Sequence, residues 1–424
     1  MLTRRLTTKS ATLLLSARFS KSSCIHRCVS TTPTLQFQEK DKFHEGDHYC
    51  AVPHRSYVEL EGPDTAKFLQ GLITNHMPKI SVGGDGFYAA FLTPTGRMLY
   101  DTFIYPVNVG VNFPHPRFII ECPTASKANF IRHIKRYILR AKVKVRDCSE
   151  EYTLWNIWSD KNKRLLMDTS SLNSSSSSIS GHSSGSGPLS DGDPILIKKD
   201  RRLTDIGCFD PRVPGFGYRA LVKANEDIEN ILPSSGDFTK LDSDEYTIRR
   251  ILHGVPEGVD DFWPESSLPL ESNLDYMNGV DFRKGCYVGQ ELTIRTYHTG
   301  VVRKRIVPVQ IYKKDEAVPE SLSVDRNHSF PSDILPPQTD IKLDGASTEE
   351  ATTKTRSIGK LCSGIHNIGL ALMRLEHVKS VTSGENEEES QKNTSFMIPN
   401  NESIRLKPFI PDWWSENTTP QFNQ

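Results

Sequence analysis

The sequence predicts an α+β fold, and three observations carry that prediction. Helical and strand-like stretches alternate without a regular β-α-β rhythm. Short strand-like runs separated by long polar excursions gather toward the C-terminus, as in a small barrel. A chain of 424 residues, 36% hydrophobic, can bury a sizeable core without disulfide or metal staples. Lys plus Arg and Asp plus Glu both total 52, so the net charge is zero, which argues against nucleic-acid binding by bulk charge. No apolar run approaches the roughly 18 residues of a spanning helix, so no integral membrane segment is expected.

Residues 1–38 carry Arg4, Arg5, Lys9, Arg18, Lys21 and Arg27 with no acid before Glu39, the pattern of a mitochondrial presequence, and the matrix is the expected location. Without those six residues the remaining chain carries −6. Ser56 to Glu61 reads as a strand. Gly62-Pro63-Asp64 ends it and opens a helix through Asn75 with Phe68, Leu69, Leu72 and Ile73 on its apolar face. Gly86 to Leu92 and Arg97 to Tyr105 form a hairpin around Thr93-Pro94-Thr95-Gly96. Thr124 is expected to cap a helix with Phe130, Ile131, Ile134 and Ile138 inward and Arg132, Lys135, Arg136 and Arg140 on the other face, an arrangement that is usually just solvated. An alternating run follows through Trp158.

Composition divides the chain into the presequence, a core over 45–302 interrupted by a Ser-rich disordered insertion at 169–193, and a C-terminal domain over 303–424 with long polar loops at 310–357 and 379–403. Ile358 to Met373 forms two short strands around a turn at Ser363 to Asn367. The tail Lys407 to Trp414 is expected to pack back onto its own barrel.

Eight cysteines stand at 24, 28, 50, 122, 148, 208, 286 and 362, without a C-x-x-C, so any functional thiol acts singly. Gly215-Phe216-Gly217-Tyr218-Arg219-Ala220 matches G-x-G-x-x-A but follows no strand, and it reads as a turn entering one. The stretch Asp281 to Arg305 is more informative. After Asp281 itself it holds Arg283, Lys284, Arg295, Arg303, Lys304 and Arg305 against Glu291 alone, whereas 241–281 carries ten acids against Arg249 and Arg250. Cys286 sits within this basic island ahead of a helix starting near Gln290, where a helix N-terminus and neighbouring cations would lower a thiol pKa. Read from the residues alone, it is either an activated thiol or a small buried hydrophobe.

Lys284-Gly285-Cys286-Tyr287-Val288-Gly289-Gln290-Glu291, followed by Arg295-Thr296-Tyr297-His298, resembles the signature of the folate-binding YgfZ-type proteins, in particular their mitochondrial branch of iron-sulfur cluster assembly factors. Phe68-Leu69-Gln70-Gly71 with Thr74-Asn75, Phe91-Leu92 with Gly96-Arg97 and Asp101, Asp210-Pro211-Arg212, and Ile368 to Leu372 agree in order. The resemblance implies the glycine-cleavage T-protein arrangement: α+β domains and a C-terminal β-barrel around a central folate-sized pocket. It implies late maturation of 4Fe-4S proteins with A-type scaffold proteins, for apo clients such as aconitase-type enzymes, lipoate synthase and radical-SAM enzymes. Cys286 would be the functional thiol and a cluster ligand shared with the partner, since one thiolate cannot hold a cluster alone. Lys284, Gly285, Tyr287, Gly289, Gln290, Glu291, Arg295 and His298 would shape its surroundings, with Asn75, Arg97 and Asp101 toward tetrahydrofolate. Independent catalysis is not expected. The alternatives are a tetrahydrofolate-dependent aminomethyltransferase, for which no matching acidic pair is seen, and a folate-binding protein without chemistry.

Overall fold

The computed structural model describes residues 41, 43, 46–110, 114–159, 203–232, 237–329, 331–344, 357–382, 395–399 and 401–414. The expected presequence and Ser-rich insertion lie outside these residues, as do parts of both polar loops. The first half contributes β1 (His48–Ala51), β2 (Arg55–Glu61), α1 (Thr65–Gln70), β3 (Phe87–Leu92), β4 (Met98–Pro106), β5 (Arg117–Pro123), α2 (Lys127–Tyr137), β6 (Lys144–Asp147) and β7 (Tyr152–Trp158). The second contributes β8 (Gly207–Phe209), β9 (Tyr218–Lys223), β10 (Thr239–Lys240), α3 (Ser243–Leu252) and α4 (Gln290–Thr299). After these come β11 (Lys304–Lys313), β12 (Asp340–Leu343), β13 (Gly359–Ile365), β14 (Ile368–Arg374), α5 (Leu375–Thr382), β15 (Phe396–Ile398) and β16 (Asn401–Pro408).

These strands form one sheet in the order β10-β1-β7-β9-β8, a second in the order β3-β4-β5-β2-β6, and a closed barrel β11-β14-β13-β12-β15-β16. Pairing is antiparallel throughout except between β1 and β10, as an α+β fold requires. The second sheet is buried on both faces, and alternation assigns each face its own partners. Val58, Leu60, Phe91, Ile104 and Ile120 pack beneath α1 and α2 against Leu69, Phe130 and Ile134. Tyr57, Tyr88, Phe103, Tyr105 and Ile119 join the large core shared with the first sheet and the barrel. Burying Phe130 and Ile134 contributes about 1.5–3 kcal/mol each.

Some expectations fail for non-local reasons. The helix expected through Asn75 ends at Gln70, because the next carbonyls turn to a distant lysine. Thr124 does not cap α2; it lies in a 3-10 turn, and its hydroxyl accepts from Ser56 at 3.0 Å. The loop placed at 310–357 begins after Lys313 and contains β12, and β15 and the start of β16 fall inside 379–403. The G-x-G-x-x-A match does enter β9, with Gly217 at φ +129°. The tail packs inward as expected: Trp413 and Trp414 are buried, and the Trp413 indole donates to the His253 carbonyl at 2.8 Å. Among the described residues no helix is long and apolar enough to cross a membrane.

Candidate functional site

The octapeptide occupies the loop leading into α4 and is docked on the turn that follows α1. Lys284 Nζ donates to the carbonyls of Gln70 at 2.8 Å, Ile73 at 2.6 Å and Asn75 at 2.9 Å, which saturates its three N–H groups. Burial pushes its pKa down to about 7, with Asp281 opposing. The Val288 N–H bonds Gly71 O at 3.0 Å, the Asp281 N–H bonds Thr74 O at 3.0 Å, and the Thr74 hydroxyl donates to Gly279 O at 2.6 Å. Asn75 is consumed by the same clasp: its Nδ2 donates to the carbonyls of Tyr88 and Asn278, and its Oδ1 accepts from His76 N–H and Lys79 Nζ. Lys284 and Asn75 therefore hold the loop rather than face a ligand.

A second clasp is made by backbone. Gly289 caps α4 at φ +79°, and a Cβ there would stand 2.2 Å from Thr93 O and 3.2 Å from Gly96 Cα. A Cβ on Gly96, at φ +84°, would meet Leu292 Cβ at 2.8 Å. The β3–β4 turn and the start of α4 thus touch through two glycines, so the separate sequence landmarks form one physical unit. Gln290 Oε1 accepts the Tyr287 N–H at 3.3 Å, and the buried Tyr287 ring lies 4.7 Å from Lys284 Nζ.

Between these fixed points Gly285 and Cys286 are exposed. The other five described cysteines, Cys50, Cys122, Cys148, Cys208 and Cys362, are buried. Burial pushes the thiols of Cys50, Cys122 and Cys148 up to about 12. Among the described residues no group of three His, Cys, Asp or Glu could hold a metal ion, and a single thiolate such as Cys286 does not hold a cluster by itself. Glu291, Arg295 and His298 are exposed along α4, where Tyr297 stacks on Phe282 with centroids 3.6 Å apart. Arg97 is exposed and donates to Ser266 O.

The basic island is smaller than its composition suggests. Lys284 is turned inward, Arg305 pairs with Asp275 at 2.8 Å over the Tyr276 ring, and Lys304 pairs with Glu271 at 3.8 Å. Arg283, Arg295 and Arg303 remain exposed, with no ion pair to any described residue.

The interior holds a charged network that no local pattern announces. Arg55 binds Glu121 at 2.6 Å and Asp101 at 3.0 Å, and Arg219 binds Glu121 at 2.6 Å. Arg212 binds Asp210 at 2.7 Å and Glu257 at 2.6 Å, and Tyr246 donates to Glu257 at 2.6 Å. Arg250 and Asp261 extend the network to Ser363 of the barrel. Burial alone would push Glu257 up, yet Arg212, Arg55, Arg219 and Arg250 together hold its carboxyl below the ordinary range. At Asp101 burial wins over Arg55 and raises the pKa. Both Asp101 oxygens are engaged, Oδ2 by Arg55 and Oδ1 by the Gly258 N–H at 3.3 Å. Arg55, Glu121, Arg219 and Glu257 are scattered along the sequence; Asp101, Asp210 and Arg212 stand among the family landmarks, and Arg219 within the G-x-G-x-x-A match.

Residues 303–416 match the family described as CAF17, C-terminal beta-barrel domain, and residues 33–184 match the GCVT N-terminal domain. The fold resembles the glycine cleavage system aminomethyltransferase T from Bartonella henselae, with a TM-score of 0.53 at 11% identity over 87% of this chain and 86% of that one. Among curated proteins, the iron-sulfur cluster assembly factor IBA57 homolog, mitochondrial, of Mycosarcoma maydis is 36% identical over 93% of this chain and 91% of its own length. The protein of that name from Aspergillus clavatus is 36% identical over 87% and 82%. With most of each chain aligned at that identity, this chain belongs to the family of mitochondrial iron-sulfur cluster assembly factors named IBA57 homologs.

Proposed function

We propose that this protein acts in the mitochondrial matrix as a late-stage assembly factor for 4Fe-4S proteins, supplying the Cys286 thiolate as one ligand of a cluster that it shares with an A-type scaffold protein and passes to apo client enzymes. The observation that carries this reading is the exposure of Cys286 on a loop fixed from both sides, while the other described cysteines are buried. Ligation replaces the S–H bond with an S–Fe bond, and the proton leaves to solvent. The thiolates of the partner complete the coordination. Arg283 and Arg295 flank this loop in sequence with no ion pair to a described residue, and they suit an acidic partner surface. Gly285 leaves open space beside the thiol.

Tetrahydrofolate, which the fold suggests, has no step in this mechanism. Asp101 is 1% exposed and already bonded to Arg55 and Gly258. The aminomethyltransferase reading is the weaker one, since the octapeptide carries Cys286 and no matching acidic pair accompanies it.

The decisive experiment combines the purified chain, an A-type scaffold and iron-sulfide reconstitution, followed by absorption and paramagnetic resonance spectroscopy. A shared cluster that is lost in Cys286→Ser is expected, together with loss of aconitase activity and lipoylation in cells carrying only that variant. Full restoration of both activities by Cys286→Ser would overturn the proposal.

A further inference from the structure

We propose that α2 and the turn after it form a docking surface for an anionic lipid bilayer. Residues 132–144 hold six basic side chains, Arg132, Lys135, Arg136, Arg140, Lys142 and Lys144, and no acid. All six are exposed, and none forms an ion pair with a described residue. Just outside this stretch pairing resumes, with Lys127 on Asp147 and Arg146 on Glu59 and Glu151. Two acids border the C-terminal end of the patch: Asp64 accepts the backbone N–H of Lys142, and Glu61 lies opposite Lys144 in the strand register.

Within this cationic run stands Leu139, 88% exposed and the most exposed of the large hydrophobic side chains described. The helical part of the surface is anchored: Phe130 and Ile134 pack α2 onto the sheet, and His133 packs edge-on to Phe91 and Tyr100.

This combination favours a bilayer over other anions. Lys and Arg stems are long enough to leave their charges among lipid headgroups while a leucine between them reaches the acyl boundary. Arg132, Lys135 and Arg136 stand on α2, Arg140 and Lys142 in the turn and Lys144 at the start of β6, and a cluster of this many basic residues suits anionic lipid. Nucleic acid would use the charges but gains nothing from a protruding aliphatic side chain. A protein partner would be expected to meet aromatic and broader apolar area than one leucine offers. No residue of this stretch belongs to the cysteine loop, and vesicle binding is read without any cluster, so the test is independent of the proposed cluster chemistry.

The test uses the full chain and sedimentation with vesicles of phosphatidylcholine alone or mixed with phosphatidylglycerol. Because the first 38 residues are themselves basic, variants are compared within the same full chain. Binding to the mixed vesicles that falls with salt is expected. Each charge removed should weaken binding about fivefold, or about 1 kcal/mol, so the triple change Lys135→Gln, Arg136→Gln, Arg140→Gln should cost about a hundredfold. Leu139→Ser should weaken it several-fold, with thermal unfolding unchanged in both variants. Equal vesicle binding by the triple variant would overturn the proposal and assign lipid affinity elsewhere. Unchanged binding by Leu139→Ser would mean that phosphate alone is recognised, which also overturns it. So would a triple variant that loses affinity for a short single-stranded RNA while keeping vesicle binding.

Discussion

Replacing Lys284 by Met separates the two roles its position suggests, anchor and ligand neighbour. The methionine keeps most of the aliphatic stem and removes the ammonium that bonds the carbonyls of Gln70, Ile73 and Asn75. Gln70 is half-buried and can rehydrate, but Ile73 and Asn75 are 0% and 4% exposed. Two carbonyls are then orphaned at about 1–3 kcal/mol each. Relief of the burial penalty that pushes Lys284 down to about 7 offsets part of that cost, leaving a net loss of about 2 kcal/mol. Denaturant unfolding measures the total, and amide exchange locates it. The N–H groups of Asp281 and Val288, bonded to Thr74 and Gly71, should lose protection first. Lys284→Arg should not restore them, because a planar fork cannot aim at three carbonyls gathered around one nitrogen. An unfolding free energy within about 0.5 kcal/mol of wild type, with exchange at both amides unchanged, would refute the anchoring role.

Two further substitutions probe the scaffold. Gly289→Ala forces a Cβ at φ +79° into a space 2.2 Å from Thr93 O; a loss of more than about 2 kcal/mol in thermal or denaturant unfolding is expected, with the cysteine loop displaced from the β3–β4 turn. Arg219→Met leaves Glu121 and Asp210 short of a buried partner and should cost about 3–5 kcal/mol by denaturant titration, much of it recovered when Glu121→Leu is added. Failure of the double variant to recover would show that packing, not the stranded charge, sets the loss.

Local patterns made much of the fold legible. The strand at Ser56 to Glu61, the hairpin around Thr93 to Gly96 and the pair β13–β14 emerged within a residue or two because alternation and turn chemistry are short-range signals. The end of α1 was misplaced because its apolar spacing continues to Ile73, whereas the residue that ends the helix lies more than 200 positions away. The thiol was legible from its setting, but the charge around it was not. A count of six cations could not show that Lys284 and Arg305 face inward. The interior network was the least legible, since Arg55, Glu121, Arg219 and Glu257 carry no local pattern and meet only through tertiary pairing.

That network also dictates an order of events. The arginine at position 55 and its partner at 121 stand on neighbouring strands of one sheet, whereas Asp210, Arg219 and Glu257 come from segments roughly a hundred residues further along the chain. A chain threaded into an organelle N-terminus first must hold the early charges hydrated until the later segments arrive, because sealing them sooner would strand them unpaired. The slow step of folding should therefore be the closure of contacts distant in sequence. Until residue 257 has been delivered, the nascent protein should remain open and dependent on chaperones.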